Sequence, residues 1–314
     1  VHRSGRYTNL RRIERLDPAQ DFDEIFRLVT RYEFPWEYVQ GTSIAFMRDY
    51  GVPSISALLD RTGEFEHHGQ KRYDDTILIG FEATVETLES ARGRDAIRHL
   101  NRIHGRYDIP QDEFVYVLAT TIVGPKRFID AYGWRPLHPH EVEAMARVTT
   151  RFGELMGIQG LPEDYAGYER FLDEYERERF AFAPSNLRVA EASIRIVADW
   201  YPRPLRPLVR RVSIAMLDDP LVEALGLPRQ PRWLGRMIDS GLRLRAHAVR
   251  HLLPPRPKSQ PYEHDAHRTY PFGYSLADLG PAWAGRPDAR REPDVPRGDD
   301  PPETEADPPR AARG

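Results

Sequence analysis

The sequence predicts an all-α fold, a single globular multi-helix domain of about ten to twelve helices. Three observations carry this. Apolar residues recur at three- and four-residue spacings through most of the chain before Arg286. No segment alternates cleanly over about six residues, as a half-buried strand would. Proline and glycine sit at the ends of the periodic stretches, where helices start and stop.

The elements follow in chain order. Asp21–Arg31 places Phe22, Ile25, Phe26 and Val29 on one face. Tyr38–Asp49 does the same with Ile44, Ala45 and Met47, and Pro53–Arg61 starts on proline and stops at Thr62-Gly63. Asp74–Ser90 carries Ile77, Phe81, Val85 and Leu88, and Arg94–Arg106 carries Ile97, Leu100 and Ile103. Gln111–Val123 is predicted to stop at Gly124-Pro125. Further helices are predicted at about 125–132, 140–156, 163–179, 186–200, 205–217 and 230–252. Residues 1–15 read as an N-terminal extension and 16–283 as the helical domain. Residues 286–314 are rich in Pro, Asp, Glu, Arg and Gly and read as a disordered tail, because they cannot bury enough surface to offset their ordering entropy.

Composition narrows the function classes. The 314 residues include no cysteine, which excludes thiolate metal sites, iron–sulfur clusters, disulfides and cysteine nucleophiles. A formal charge of −3 leaves no general footprint for nucleic acid. Only Lys71, Lys126 and Lys258 are lysines, so the positive charge is nearly all arginine. No stretch approaches the roughly 18 apolar residues of a membrane span, and Val1–Arg12 has no apolar core of a secretory signal. A cytoplasmic protein is expected. Phosphate-loop, dinucleotide and nucleophile-elbow motifs are absent from the sequence.

Two helices hold the residues with chemical potential. Ile97, Leu100 and His104 are spaced i, i+3, i+7, so His104 continues an apolar stripe whereas His99 points elsewhere. A buried imidazole needs a partner, because leaving it unpaired costs on the order of 1–3 kcal/mol. It is a core histidine bonded to a carbonyl, a metal or haem ligand, or a general base. On the preceding helix, Arg72, Thr76, Gly80, Ala83 and Thr87 form a face of small residues. A mid-helix glycine costs about 1 kcal/mol relative to alanine and marks the approach of another helix or of a flat ligand. Arg72 and Thr76, four residues apart, place a guanidinium and a hydroxyl over one spot. The plainer reading pairs Arg72 with Asp74 or Asp75.

These pieces stand within a longer pattern. It comprises Tyr32-Glu33-Phe34-Pro35-Trp36, Tyr50-Gly51-Val52-Pro53-Ser54-Ile55, Thr62-Gly63-Glu64-Phe65, Lys71-Arg72-Tyr73-Asp74-Asp75-Thr76, Asn101-Arg102-Ile103-His104-Gly105-Arg106-Tyr107 and Trp134-Arg135-Pro136-Leu137. The stretch Leu16–Thr150 resembles the MpaB-type oxygenases and, more distantly, the latex-clearing rubber oxygenases, and the likeness thins out towards Pro281. The resemblance implies an all-helical fold enclosing a pocket for one haem b, with His104 as the proximal iron ligand. It implies Arg72 and Thr76 on the distal side, from the R-x-x-x-T pattern. Some rubber oxygenases carry a lysine just before that threonine; here Asp75 replaces it, so lysine capping of the iron is not expected and Asp75 joins the distal candidates. Gly80 would let the macrocycle approach, and Arg98, Arg102 and Arg106 are available for its propionates. The implied function is a haem-dependent oxygenase that uses O2 on an apolar substrate of prenyl or terpenoid class, cleaving a C=C bond. The alternative is a non-catalytic haem or lipophilic-ligand binding protein of the same fold.

Other clusters have plainer readings. In His138-Pro139-His140-Glu141, Pro139 suits a helix start and Glu141 its first turn. Arg243 to His251 is a basic helix, either a peripheral membrane contact or, more simply, a solvated face. His264 and His267 flank an aspartate in a loop-like region and read as ordinary surface residues.

Overall fold

The computed structural model describes residues 5–255 and 268–284. Among them there is no strand, and fourteen α-helices form the fold. In chain order these are α1 (Thr8–Ile13), α2 (Phe22–Leu28), α3 (Pro35–Asp49), α4 (Pro53–Thr62), α5 (Glu64–His67), α6 (Gly69–Thr84) and α7 (Ala91–His104). Then come α8 (Gln111–Tyr132), α9 (Pro139–Met156), α10 (Tyr165–Arg179), α11 (Pro184–Asp199), α12 (Arg206–Ala215), α13 (Asp219–Ala224) and α14 (Arg232–His251). Three of them, α1, α5 and α13, have only four to six residues and carry too little periodicity to be read from sequence. The other eleven are the helices the pattern predicts, with two differences of consequence.

The first difference is at Gly124-Pro125. Instead of stopping there, α8 runs on to Tyr132 with Pro125 inside it. The reason is its close packing on α3. A Cβ on Gly41 would lie 2.6 Å from the Cα of Pro125, and one on Gly124 would lie 2.5 Å from the Cβ of Ala45. The two glycines bring the backbones together, and the resulting contact outweighs the hydrogen bond that proline removes.

The second difference concerns α6 and α7. α6 begins at Gly69 and ends at Thr84, so Arg72 and Thr76 lie in its first turns. α7 begins at Ala91, capped by the Ser90 hydroxyl, which accepts from the Gly93 amide at 3.0 Å. α6 and α7 pack as an antiparallel pair. The end of α7, with His104, therefore lies level with the start of α6.

The main core gathers α2, α3, α7, α8, α9 and α10 around residues such as Ile25, Val29, Phe34, Ile122, Ile129 and Leu172. The segment expected as an N-terminal extension contributes to it: Ile13 of α1 is fully buried, and its carbonyl meets Nδ1 of His140. A second core lies under α11 to α13, and a third small one joins α6 and α7 to residues 270–279. The tail read over 286–314 lies outside the described residues, as do His264 and His267.

Several motif residues turn out to brace these cores. Arg135 is buried between Glu33 and Glu141, with Nη2–Oε2 at 2.9 Å and Nη1–Oε2 at 2.6 Å. Trp134 donates its indole N–H to the Glu33 carbonyl at 3.2 Å. His138 caps α9 as the proline spacing implies: its Nδ1 accepts from the His140 amide, and Glu141 accepts from the His138 amide.

Candidate functional site

A cavity of about 170 Å³ opens between α2, α3, α6, α8 and α9. Its wall is apolar and hydroxyl-bearing: Phe26, Tyr38 and Phe46 on one side, Ile77, Gly80 and Phe81 on another. Five of its six threonines donate their hydroxyl protons to a carbonyl of their own helix. Thr30 donates to Phe26, Thr42 to Tyr38, Thr76 to Arg72, Thr84 to Gly80 and Thr121 to Leu118, at 2.7–3.0 Å. Such a proton is committed to the helix, so the wall shows methyl groups and oxygen lone pairs. Burial pushes the Tyr38 phenol up to about 12, so it stays a neutral donor at the wall.

α6 supplies the wall's most informative stretch. Ile77 and Phe81, from the apolar face of this helix, line the cavity together with Thr76, Gly80 and Thr84. A Cβ on Gly80 would meet no atom within 4 Å. Gly80 is therefore not the seat of a neighbouring helix; its bare backbone borders open space. Ala83, read on the same small face, is instead fully buried, and a Cβ on Gly93 of α7 would lie 2.9 Å from its carbonyl.

Arg72 and Thr76 come together as their spacing implies. The Arg72 guanidinium donates to the Thr76 hydroxyl and lies 5.5 Å from the Phe65 ring. Among the described residues no carboxylate pairs with it. Asp74 and Asp75 are taken elsewhere: Asp74 accepts from Gln70 and from Thr269, and Asp75 accepts from Lys71 at 2.7 Å and from the Tyr270 phenol at 2.5 Å. Asp75 is buried on the face of α6 away from the cavity, so it is not a distal group. Asp75 does not merely replace a lysine; it anchors the segment 268–284 against α6.

His104 ends α7, with its ring 5.4 Å edge-on from Phe114. Phe114 is one turn along α8 from Leu118, which lines the cavity. The ring Nδ1 is buried and lacks a hydrogen-bond partner. Burial, with a smaller contribution from the positive charge of Arg72, pulls its pKa down to about 4, so the imidazole is neutral at physiological pH. The satisfied core histidine is His99 instead. Its Nε2 meets the Leu279 carbonyl at 2.8 Å, and its Nδ1 meets Arg102 at 2.9 Å. The 3.6-residue period brings both histidines to faces that contact protein, and sequence alone did not reveal that His99 is the better buried.

The arginines read as propionate partners are occupied. Arg98 is on the surface and pairs with Asp95. Arg102 donates to His99, and Arg106 lies 3.8 Å over the Trp283 ring. None of the three lines the cavity. Among the described residues, no group of three His, Asp or Glu side chains is arranged to hold a metal ion. A neutral, buried imidazole with an unpartnered nitrogen is what an axial haem ligand requires, because the porphyrin supplies the other four donors. The unpartnered Nδ1 of His104 fits an axial ligand's chemistry, although neither His104 nor Arg72 lines the cavity itself; Arg98, Arg102 and Arg106 do not fit the propionates.

Comparison with known proteins gives a consistent picture. Residues 40–251 match the family described as "ER-bound oxygenase mpaB/B'/Rubber oxygenase, catalytic domain". The chain is 29% identical over 248 residues to ER-bound oxygenase mpaB' of Penicillium brevicompactum, covering 73% of this chain and 58% of that protein. It is 27% identical over 220 residues to ER-bound oxygenase mpaB of Penicillium roqueforti (strain FM164), covering 64% of this chain and 74% of that protein. The chain thus spans little more than half the length of the first relative. The family match takes in both α6 and α7, the helices that carry Arg72, Thr76, Gly80 and His104, and by it this chain belongs to the mpaB and rubber oxygenase catalytic-domain family.

Proposed function

We propose that this chain is a haem b-dependent oxygenase acting with O2 on an apolar substrate, with His104 as the axial ligand to iron. The observation that carries this is His104 itself, a half-buried histidine whose Nδ1 is buried without a partner, with its pKa pulled down by burial and by the charge of Arg72. The haem, when bound, supplies the oxygen-activating chemistry. The chain's own residues orient and exclude. Arg72 has no carboxylate partner among the described residues and donates to the Thr76 hydroxyl, so it holds fixed positive charge directly behind the cavity's α6 wall at Thr76. The threonine methyls, Phe26, Phe46 and Phe81 keep water out and accept an alkyl or prenyl chain. Cleavage of a C=C bond by O2 balances without an added reductant: the double bond breaks, and each carbon receives one oxygen atom as a carbonyl.

The threonine-rich wall also supports the choice of an apolar substrate, since it presents almost no free donors to a polar one. A cytoplasmic location belongs to the same reading. The relatives' names say ER-bound of those proteins, and among the described residues no helix is long and apolar enough to cross a membrane.

Reconstitution with haem tests the ligand. Wild type should show a Soret band at one haem per chain. His104→Ala should lose the band or its stoichiometry while unfolding at a similar temperature. Arg72→Ala and Thr76→Val should keep haem with an altered spectrum. A full Soret band in His104→Ala would reject the ligand assignment. Oxygen uptake with a prenyl alkene, followed by carbonyl detection in the products, separates the oxygenase from a non-catalytic carrier.

A further inference from the structure

α14 (Arg232–His251) has one face fixed to the protein and one face free. On the fixed face Leu234 is buried, Val249 packs on the main core, and Arg245 pairs with Glu37 at 2.6 Å while covering the Trp36 ring at 3.7 Å. These contacts leave little freedom in how the helix is rotated. The free face then displays Trp233, Met237 and Leu244, which are 61%, 55% and 70% exposed. At about 100° per residue these three fall within roughly 40° of one another, so they make a continuous apolar stripe.

Arginine borders the stripe. α14 carries five arginines against one aspartate. That aspartate, Asp239, pairs with Arg243. Arg232, Arg236 and Arg250 are exposed and have no carboxylate partner among the described residues. The neighbouring α12 and the residue before it add Leu208 and Leu205, 53% and 46% exposed. Several exposed arginines elsewhere are paired instead. Arg127, Arg147, Arg151, Arg188 and Arg195 each meet an acidic side chain.

Exposed tryptophan, methionine and leucine beside unpaired arginines is a pairing of needs that few partners meet. A second copy of the chain would cover the apolar stripe but bring two arginine rows together. A nucleic acid would take the arginines but leave the leucines wet. An anionic bilayer surface satisfies both: the stripe enters the headgroup–acyl boundary, and the guanidiniums reach lipid phosphates and carboxylates. We infer that the α12–α14 face docks this chain on an anionic lipid surface, as an interfacial helix lying in the plane of the membrane. The inference stands apart from the haem assignment, since no residue of the cavity takes part.

Vesicle flotation of the full chain tests it. The chain should float with phosphatidylcholine vesicles containing phosphatidylserine, and do so less as salt is raised. It should stay in solution with phosphatidylcholine alone. Trp233→Ser/Met237→Ser/Leu244→Ser should abolish flotation. Arg236→Glu/Arg250→Glu should weaken it by well over tenfold, since each surface arginine contributes roughly fivefold. The sites are exposed, so thermal unfolding should be unchanged in both variants. Flotation that survives either variant overturns the inference. So does equal binding to uncharged vesicles. Light scattering that shows a dimer lost in the triple variant would also overturn it, assigning the face to a second copy.

Discussion

At the scale of single residues, Gly80 gives the sharpest separation between stability and ligand binding. Its missing side chain borders open space, and a mid-helix glycine costs about 1 kcal/mol relative to alanine. Gly80→Ala should therefore raise the unfolding temperature of the ligand-free protein while lowering its haem uptake in the same reconstitution. A rise in both would mean that the open space beside Gly80 is not where a ligand lies. The position of His104 was legible from its helical stripe, and so was the meeting of Arg72 with Thr76. The roles of Asp75, Arg98, Arg102 and Arg106 were not. A side chain's presence on a helix says nothing of which nearby group will claim it. Here Asp75 is claimed by Lys71 and Tyr270, Arg98 by Asp95, Arg102 by His99 and Arg106 by Trp283.

Among elements, the α6–α7 pair shows how a helix can be polar on its buried side and apolar on its open side. Asp74, Asp75 and Glu82 face residues 268–284, where Thr269, Tyr270 and Tyr274 donate to them, while Ile77 and Phe81 face the cavity. Periodicity marks Ile77 and Phe81 as an apolar face but does not tell a core from a cavity. The segment 268–284 behaves as a strap: Lys71 donates to the carbonyls of Asp278 and Gly280, and His99 meets that of Leu279. It lies outside the residues that the family match covers. Tyr270→Phe/Tyr274→Phe leaves carboxylates short of donors in a part-buried setting, each at a cost of about 1–3 kcal/mol. The double variant should lower the unfolding temperature and also broaden the Soret band of the haem-loaded chain. A lowered melting temperature with an unaltered spectrum would restrict the strap to a stabilising part.

Across the whole molecule, charge clusters tie distant helices. Arg48 at the end of α3 reaches Glu176 of α10 and, at 3.0 Å, Asp218 ahead of α13, and the Tyr116 phenol of α8 donates to Glu176. Next to Arg48, Asp49 accepts from Thr120, and burial together with the charge of Glu176 raises its pKa well above the usual carboxylate range. A carboxyl whose folded pKa exceeds its unfolded value favours folding at low pH, and that support is lost as pH rises above about 4. Asp49→Asn keeps the acceptor and removes the titration. It should be more stable than wild type at pH 7, with the difference closing as pH falls towards 4, in denaturant titrations at several pH values; a gap that widens on acidification would contradict the sign. The all-helical class was legible throughout, because it rests on period alone, whereas links such as Arg48–Asp218 join residues far apart in sequence that no local pattern relates. The hydroxyls of the cavity wall have a further consequence. Five of the six threonine protons are spent on their own helices, so a hydrocarbon entering the cavity loses little, whereas a carbonyl compound there finds few donors beyond the Tyr38 phenol. The wall thus ranks ligands by their oxidation state, holding an alkene better than a carbonyl compound, so that under the proposed reaction turnover itself would loosen the grip on its products.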